Sequence, residues 1–224
     1  MISTKQNLPL RHGGTEKIAS QLNVACFELK REHDCAILQL VSSDGTNKLT
    51  RGCIAALHQV VQQLRAEADA GALKALILTG DEKFFSAGAD LNEISRLSGS
   101  DAFEFSRAGQ ALMLAMDQFP VPVIAAIRGY CMGGGMDLAL ACDYRIAAPN
   151  AVFGHRGATL GVMTGWGGTQ RLPRLIGKSR ALQMFLLAEM VTAEEALRIQ
   201  LVDKIAEDPI STALAFAAAS QRMR

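Results

Sequence analysis

RGYCMGGGMDLALACD, residues 128–143, follows the apolar run VPVIAAI at residues 121–127, which is broken only by Pro122. That run reads as a buried strand. Gly133, Gly134 and Gly135 then open a segment whose Leu138, Ala139, Leu140 and Ala141 are good helix formers. Strand, glycine turn and helix start together place unpaired backbone N–H groups at a helix N-terminus. The glycines let a ligand approach the backbone with no Cβ in the way. Such a place suits an anion, or an oxygen that becomes negative during a reaction. The plainer reading is a tight turn that packs helix on strand, and a glycine cluster alone does not separate the two. The turn is not G-x-G-x-x-G, and the chain holds no G-x-x-x-x-G-K-[ST] phosphate loop. Asp137, taken alone, is a first-turn acid favoured by the helix dipole.

On either side of this stretch strands and helices alternate. Towards the N-terminus, residues 36–41 predict a strand with a partner at 25–29, and SSDGTNK (42–48) carries a D-G turn. Thr50 is placed to cap a helix to about residue 70, with Ile54, Leu57, Val61 and Leu64 on one face and Gly71 closing it. ALILT (75–79) predicts a short buried strand. Residues 80–83 read as a turn, 84–90 as a loop and 91–97 as helical. Residues 101–118 predict a longer helix with Phe105, Leu112 and Met116 inward. Towards the C-terminus come a strand at 144–148, a glycine-rich loop at 161–168, and helices at 168–175, 179–188 and 192–199. Residues 201–205 close the pattern before an alanine-rich end at 211–220. No sequence repeat or low-complexity linker divides the chain, and the alternation makes it α/β.

Composition narrows the classes. The 224 residues suit one domain (23–224) behind a polar, loosely ordered arm (1–22). A hydrophobic content of 49% with 20% charged residues is that of a soluble globular protein. The net charge of +1 gives no electrostatic case for nucleic acid or an anionic membrane. No apolar run reaches the ~18 residues of a membrane span. Cys26, Cys35, Cys53, Cys131 and Cys142 are scattered and odd in number, as expected for reduced thiols in a cytoplasmic protein.

Four blocks taken together resemble the crotonase, or enoyl-CoA hydratase/isomerase, superfamily: FFSAGADLNEI (84–94), GYCMGGGMDLALACDYRIAA (129–148), LGVMTGWGGTQRLPRLIGKSRA (160–181) and AEEALRIQLVDKI (193–205). Their order and spacing match across residues 27–205. The resemblance implies an α/β fold of the ClpP/crotonase kind, a spiral of ββα units with flanking helices. It also implies assembly as a homotrimer or dimer of trimers, acyl-CoA thioester substrates, no metal, and no permanently bound cofactor, coenzyme A being part of the substrate. The family's oxyanion hole falls on the backbone N–H groups of Ala89 and Gly134, with Gly133 beside the latter. Phe85, Ser86, Ala87, Gly88 and Asp90 fall along the coenzyme, mostly through backbone groups. Lys48 falls where a lysine meets a phosphate, although a solvated lysine is the plainer reading.

The acid/base positions depart from the family's pattern. Its hydratases hold water between two glutamates. The first position here is Asp137, shorter by one methylene, and the second is Gly157 in FGHRGATLG (153–161). No Asp or Glu occurs between residues 153 and 168 to replace it. The same loop offers His155, a residue type that works as acid or base near neutral pH, and Arg156, which can bind a carboxylate or phosphate. The plainer reading puts both at the surface or a subunit contact. Trp166 reads as packing or as narrowing of the pocket. Gly165 stands where the family's dienoyl-CoA isomerases carry a further aspartate, which disfavours that branch. Only about twenty residues follow Ile205, a shortened C-terminal helical region by the family's pattern. Three functions fit: an enolate-stabilising acyl-CoA enzyme of the hydratase/isomerase type, a thioester-dependent decarboxylase, and a catalytically weak acyl-CoA-binding or structural member.

Overall fold

The computed structural model describes residues 26–220, so the arm expected at residues 1–22 lies outside the described residues. Strands β1 (Phe27–Glu32) and β2 (Cys35–Leu40) lead to a short β3 (Lys48–Leu49) and helix α1 (Arg51–Asp69). Then follow β4 (Ala75–Thr79), β5 (Phe84–Ser86), β6 (Gly88–Ala89), the one-turn α2 (Leu91–Ile94) and α3 (Gly99–Asp117). Strands β7 (Val123–Ile127) and β8 (Tyr130–Met132) precede α4 (Gly134–Leu140), and β9 (Tyr144–Ala147) and β10 (Val152–Gly154) precede a 3-10 turn at Gly157–Leu160. Helices α5 (Gly168–Ile176) and α6 (Lys178–Leu186), strand β11 (Met190–Thr192), helix α7 (Ala193–Arg198), strand β12 (Lys204–Ile205) and helix α8 (Pro209–Ser220) complete the chain.

Six strands form one sheet in the order β1-β2-β4-β7-β9-β12, parallel except for the β1–β2 hairpin. A second sheet runs β11-β10-β8-β5, and β3 pairs with β6 in a third. After each of β4, β7 and β9 the chain crosses to the second sheet, adding β5, β8 and β10 in turn; helices carry it back to the large sheet, after β10 by way of a further second-sheet strand, β11. This is the spiral of ββα units that the resemblance implied.

The inner strands β2, β4 and β7 of the large sheet are buried on both faces and are apolar runs rather than alternating ones, while the edge strand β1 is largely exposed. Leu38, Leu76, Leu78, Val123, Ala125 and Ile127 face the main core, to which α1 and α3 contribute Ile54, Leu57, Leu64, Phe105 and Leu112. The intervening residues Ile37, Ala75, Ile77, Ile124, Ala126 and Ile146 face α8, packing on Ala213 and Ala217. The switch of face at each residue is the pleat of a strand. Thr50 accepts a hydrogen bond from Cys53 N at 3.1 Å and caps α1 as the sequence predicts.

The main differences lie in the short elements. The loop expected at 84–90 holds β5 and β6, the glycine turn is preceded by β8, and residues 152–154 and 190–192, unassigned except for a helix start at 192, are strands. Each is two or three residues long, too short for periodicity to register. The helical stretch expected at 91–97 is only the four residues of α2.

Candidate active site

The segment 86–90 and the glycine turn meet backbone to backbone. Gly88 has φ +91°, and a Cβ there would lie 2.9 Å from Gly134 N, so only glycine allows this approach. Ser86 is fully buried, donates from Oγ to Asn47 O at 2.7 Å and accepts from Gly88 N at 3.1 Å, which fixes the entry to the segment. Asp90 fixes its exit by accepting from Asn92 N at 2.7 Å as the cap of α2. Between these anchors Ala89 pairs in register with Leu49. Ala89, Gly133 and Gly134 all line one cavity of about 430 Å³.

That cavity has two kinds of wall. Leu91, Ile94, Leu97, Phe105, Val162 and Trp166 make an apolar side. The Trp166 ring is buried and stands edge-on to Phe105 with centroids 5.3 Å apart. It lies where a Cβ on Gly134 or Gly109 would have to stand, so both glycines make room for it. Trp166 therefore both packs the core and narrows the pocket.

The other wall is polar. Asp137, in the first turn of α4, is completely buried. Its Oδ2 accepts the hydroxyl hydrogen of Thr164, and its Oδ1 faces His155 Nε2 at 3.3 Å. His155 is itself only 4% exposed and packs its ring on Phe185, centroids 4.9 Å apart. The expectation of a surface or subunit-contact position for His155 is thus overturned: β10 pairs beside β8 and carries the following residue under the glycine turn. Asp137 Oδ1 and His155 Nε2, although 3.3 Å apart, are the buried side-chain polar atoms that make no hydrogen bond among the described residues. Burial pushes the Cys131 thiol well up, with Cys142 and then Asp137 adding to the effect.

Gly157 also lines the cavity, but a side chain there has no room: its Cβ would press on the carbonyl oxygen of Val162, which closes the turn by its own N–H to Gly157 O at 3.0 Å. Arg156 is exposed, as the plainer reading of it holds, and stands at the cavity rim. Ala87 lines the cavity, whereas Phe85 and Ser86 turn their side chains into the buried interior. Lys48 pairs with Asp44 at 2.7 Å on the outer side of β3 and is not part of the cavity wall. Thr164 carries no motif signal of its own, because a threonine in a glycine-rich loop has many local uses.

The family model for Enoyl-CoA hydratase/isomerase matches residues 30–219. The crotonyl-CoA hydratase of Syntrophomonas wolfei is 39% identical over 180 residues, which cover 80% of this chain and 68% of that protein. DspI of Pseudomonas aeruginosa superposes with a TM-score of 0.83 at 36% identity, over 89% of this chain and 81% of that structure. An enoyl-CoA hydratase from Bacillus anthracis superposes with a TM-score of 0.81 at 34% identity, over 87% and 76%. With most of its length matched in sequence and in fold, the chain belongs to the enoyl-CoA hydratase/isomerase family of the crotonase superfamily.

Proposed function

We propose that the chain binds an acyl-CoA thioester with its acyl group in the 430 Å³ cavity and stabilises the enolate formed at the α-carbon. The observation that carries this reading is the meeting of Ala89, Gly134 and a buried Asp137 in one cavity wall. Two N–H groups aimed at a thioester oxygen hold negative charge as it develops, and losing one such donor typically costs about 2.7–4 kcal/mol. The segment 85–90 would follow the coenzyme through its backbone. This chemistry asks for no metal and no resident cofactor, and assembly as a trimer or dimer of trimers belongs to the same proposal.

Within the family's chemistries, a site with no carboxylate at 157 favours moving a proton over adding water. Water addition needs one group to activate water and another to protonate carbon. Proton abstraction and return need only one. The test is binding of acetoacetyl-CoA, an enolate mimic, beside the loss of conjugated-enoyl absorbance from crotonyl-CoA. Tight mimic binding with hydration at least roughly 10²-fold below that of a two-glutamate relative is expected, the scale that a misplaced group costs. Failure to bind the mimic would sink the proposal. Arg156 at the rim supports a second reading, a decarboxylase whose substrate carries a carboxylate on the α-carbon. Release of carbon dioxide from such a 2-carboxyacyl-CoA, faster than enoyl-CoA turnover, would put that reading first.

A further inference from the structure

We infer that the proton-transferring group of this site is His155, and that Asp137 orients it. The inference rests on the enolate-stabilising reading above and assigns its acid/base step to a different residue. Thr164 donates to Asp137 Oδ2, while Oδ1 makes no hydrogen bond and has His155 Nε2 standing 3.3 Å away. Gly168 closes over Oδ1, since a Cβ at that position would collide with it. The side chain of Asp137 is 1% exposed and that of His155 5%. A carboxylate held in this way is a fixed acceptor. The two orphaned atoms, Oδ1 and Nε2, satisfy one another only if Nε2 carries a hydrogen. The ring is then the Nε2–H tautomer, and Nδ1 is the nitrogen left with a lone pair for the substrate. The histidine–aspartate pairs of acyl-transfer enzymes divide the labour in the same way, the carboxylate fixing tautomer and ring orientation.

Reach favours the same assignment. Asp137 falls one methylene short of the glutamate that the family's pattern places there, and His155 also lines the cavity. Nδ1 takes the α-proton, the C–H electron pair enters the enolate, and the oxygen's charge is held by the two backbone N–H groups. The imidazolium, stabilised by Asp137, returns the proton to carbon, so no redox partner or water is consumed. The ionisable groups around the pair are few. Asp137 comes from α4, the Cys131 thiol from β8 lies in Asp137's field, and Arg156 projects to solvent from the loop. Helices α5 and α6 present Gly168 and the Phe185 ring, neither of them charged.

The experiment is α-proton exchange of butyryl-CoA in D2O, followed by NMR, with acetoacetyl-CoA binding measured on the same proteins. Glutamine at 155 keeps an N–H that can reach Asp137 but cannot serve as a base. His155→Gln should therefore slow exchange by roughly 10²–10⁴-fold while still binding the mimic, the usual range for loss of a general base. Exchange at the wild-type rate in His155→Gln would overturn the inference and return the base role to Asp137. If His155→Gln loses mimic binding, His155→Ala titrated with free imidazole decides. Recovery of exchange supports the assignment, and no recovery overturns it. Wild-type protein that binds the mimic but exchanges nothing overturns the inference and leaves acyl-CoA binding standing. Wild-type protein that does not bind the mimic removes the reading on which it rests.

Discussion

A glutamate at position 157 would restore a carboxylate that the family's hydratases use, but it would begin with a Cβ pressed on the carbonyl oxygen of Val162. Backbone on both sides of the contact leaves little room to yield. Gly157→Glu is expected to cost about 1–3 kcal/mol of stability, the usual scale of overpacking, without faster hydration of crotonyl-CoA. A hydration rate rising to that of a two-glutamate relative would show that the loop rearranges freely. Thr164 offers a complementary case. Its hydroxyl is a donor to a completely buried carboxylate, and Thr164→Val keeps the shape while removing the hydrogen bond. A loss of roughly 1.5–3 kcal/mol in denaturant unfolding is expected, because hydrogen bonds to charged groups are worth more than neutral ones. An unchanged midpoint would mean that Asp137 is not held as a carboxylate by this contact. These residues also mark the limit of sequence reading at this scale. Asp137 is legible because it follows the glycine turn in a recognisable block. The depth of His155 is not, because nothing local to FGHRG distinguishes a residue turned under a neighbouring strand from one turned to solvent. The pairing of β10 with β8 decides it, and that contact joins residues about twenty positions apart.

Elements long enough to show a period are legible. In α1 the three- and four-residue spacing of Ile54, Leu57, Val61 and Leu64 marks its buried face, and Thr50 marks its start. In α3, Phe105, Leu112 and Met116 do the same. The apolar run of β4 appears with its observed ends because a strand covered on both faces has no polar interruption. The strands of the second sheet give no comparable signal. YCM, flanked by glycines, and VFG, which ends in one, are three residues each, and only their neighbours in space identify them. The ββα spiral is consequently a repeat of backbone path with no repeat of sequence. At the start of α1 the cap is testable. Removing the Thr50 hydroxyl orphans the Cys53 N–H, and Thr50→Ala should lower stability by about 1 kcal/mol. Chemical denaturation would register this as a lower midpoint at unchanged slope. A changed slope would mean instead that the extent of the folded unit had altered.

At the scale of the molecule, the segment after α7 is tied in by a buried cation. Arg145 of β9 is 6% exposed and holds the chain after α7 to the large sheet. Its Nε donates to Leu201 O at 3.0 Å, its Nη1 to Cys142 O at 2.7 Å and its Nη2 to Asp203 Oδ2 at 3.2 Å, while its backbone N–H donates to the same carboxylate oxygen at 2.8 Å. Asp203 N in turn donates to Arg145 O at 2.9 Å, which sets the register in which β12 joins β9. From β12 the chain enters α8, the helix that covers the second face of the sheet with Ala213 and Ala217. The cation thus lies between the core that builds the cavity and the segment that closes the sheet behind it. Arg145→Met preserves most of the side-chain volume but leaves the carbonyls of Leu201 and Cys142 without this donor and removes the charge beside Asp203, which keeps the backbone N–H of residue 145. The expected loss is roughly 3 kcal/mol, from about 1–3 kcal/mol for each buried carbonyl left unsatisfied. For a chain of this size each kcal/mol lowers the melting temperature by about 2–4 °C, which gives a shift of roughly 6–12 °C. Asp203→Asn keeps an oxygen acceptor and should cost less. Burial holds the Cys142 thiol up at about 12, protonated and shielded at neutral pH, so its alkylation reports opening of this region. If segment and core unfold as one unit, the Cys142 labelling transition in Arg145→Met moves down together with the loss of helical signal. Labelling well below the main transition would instead show that residues 199–220 open separately, and that the sheet face under α8 is held only locally.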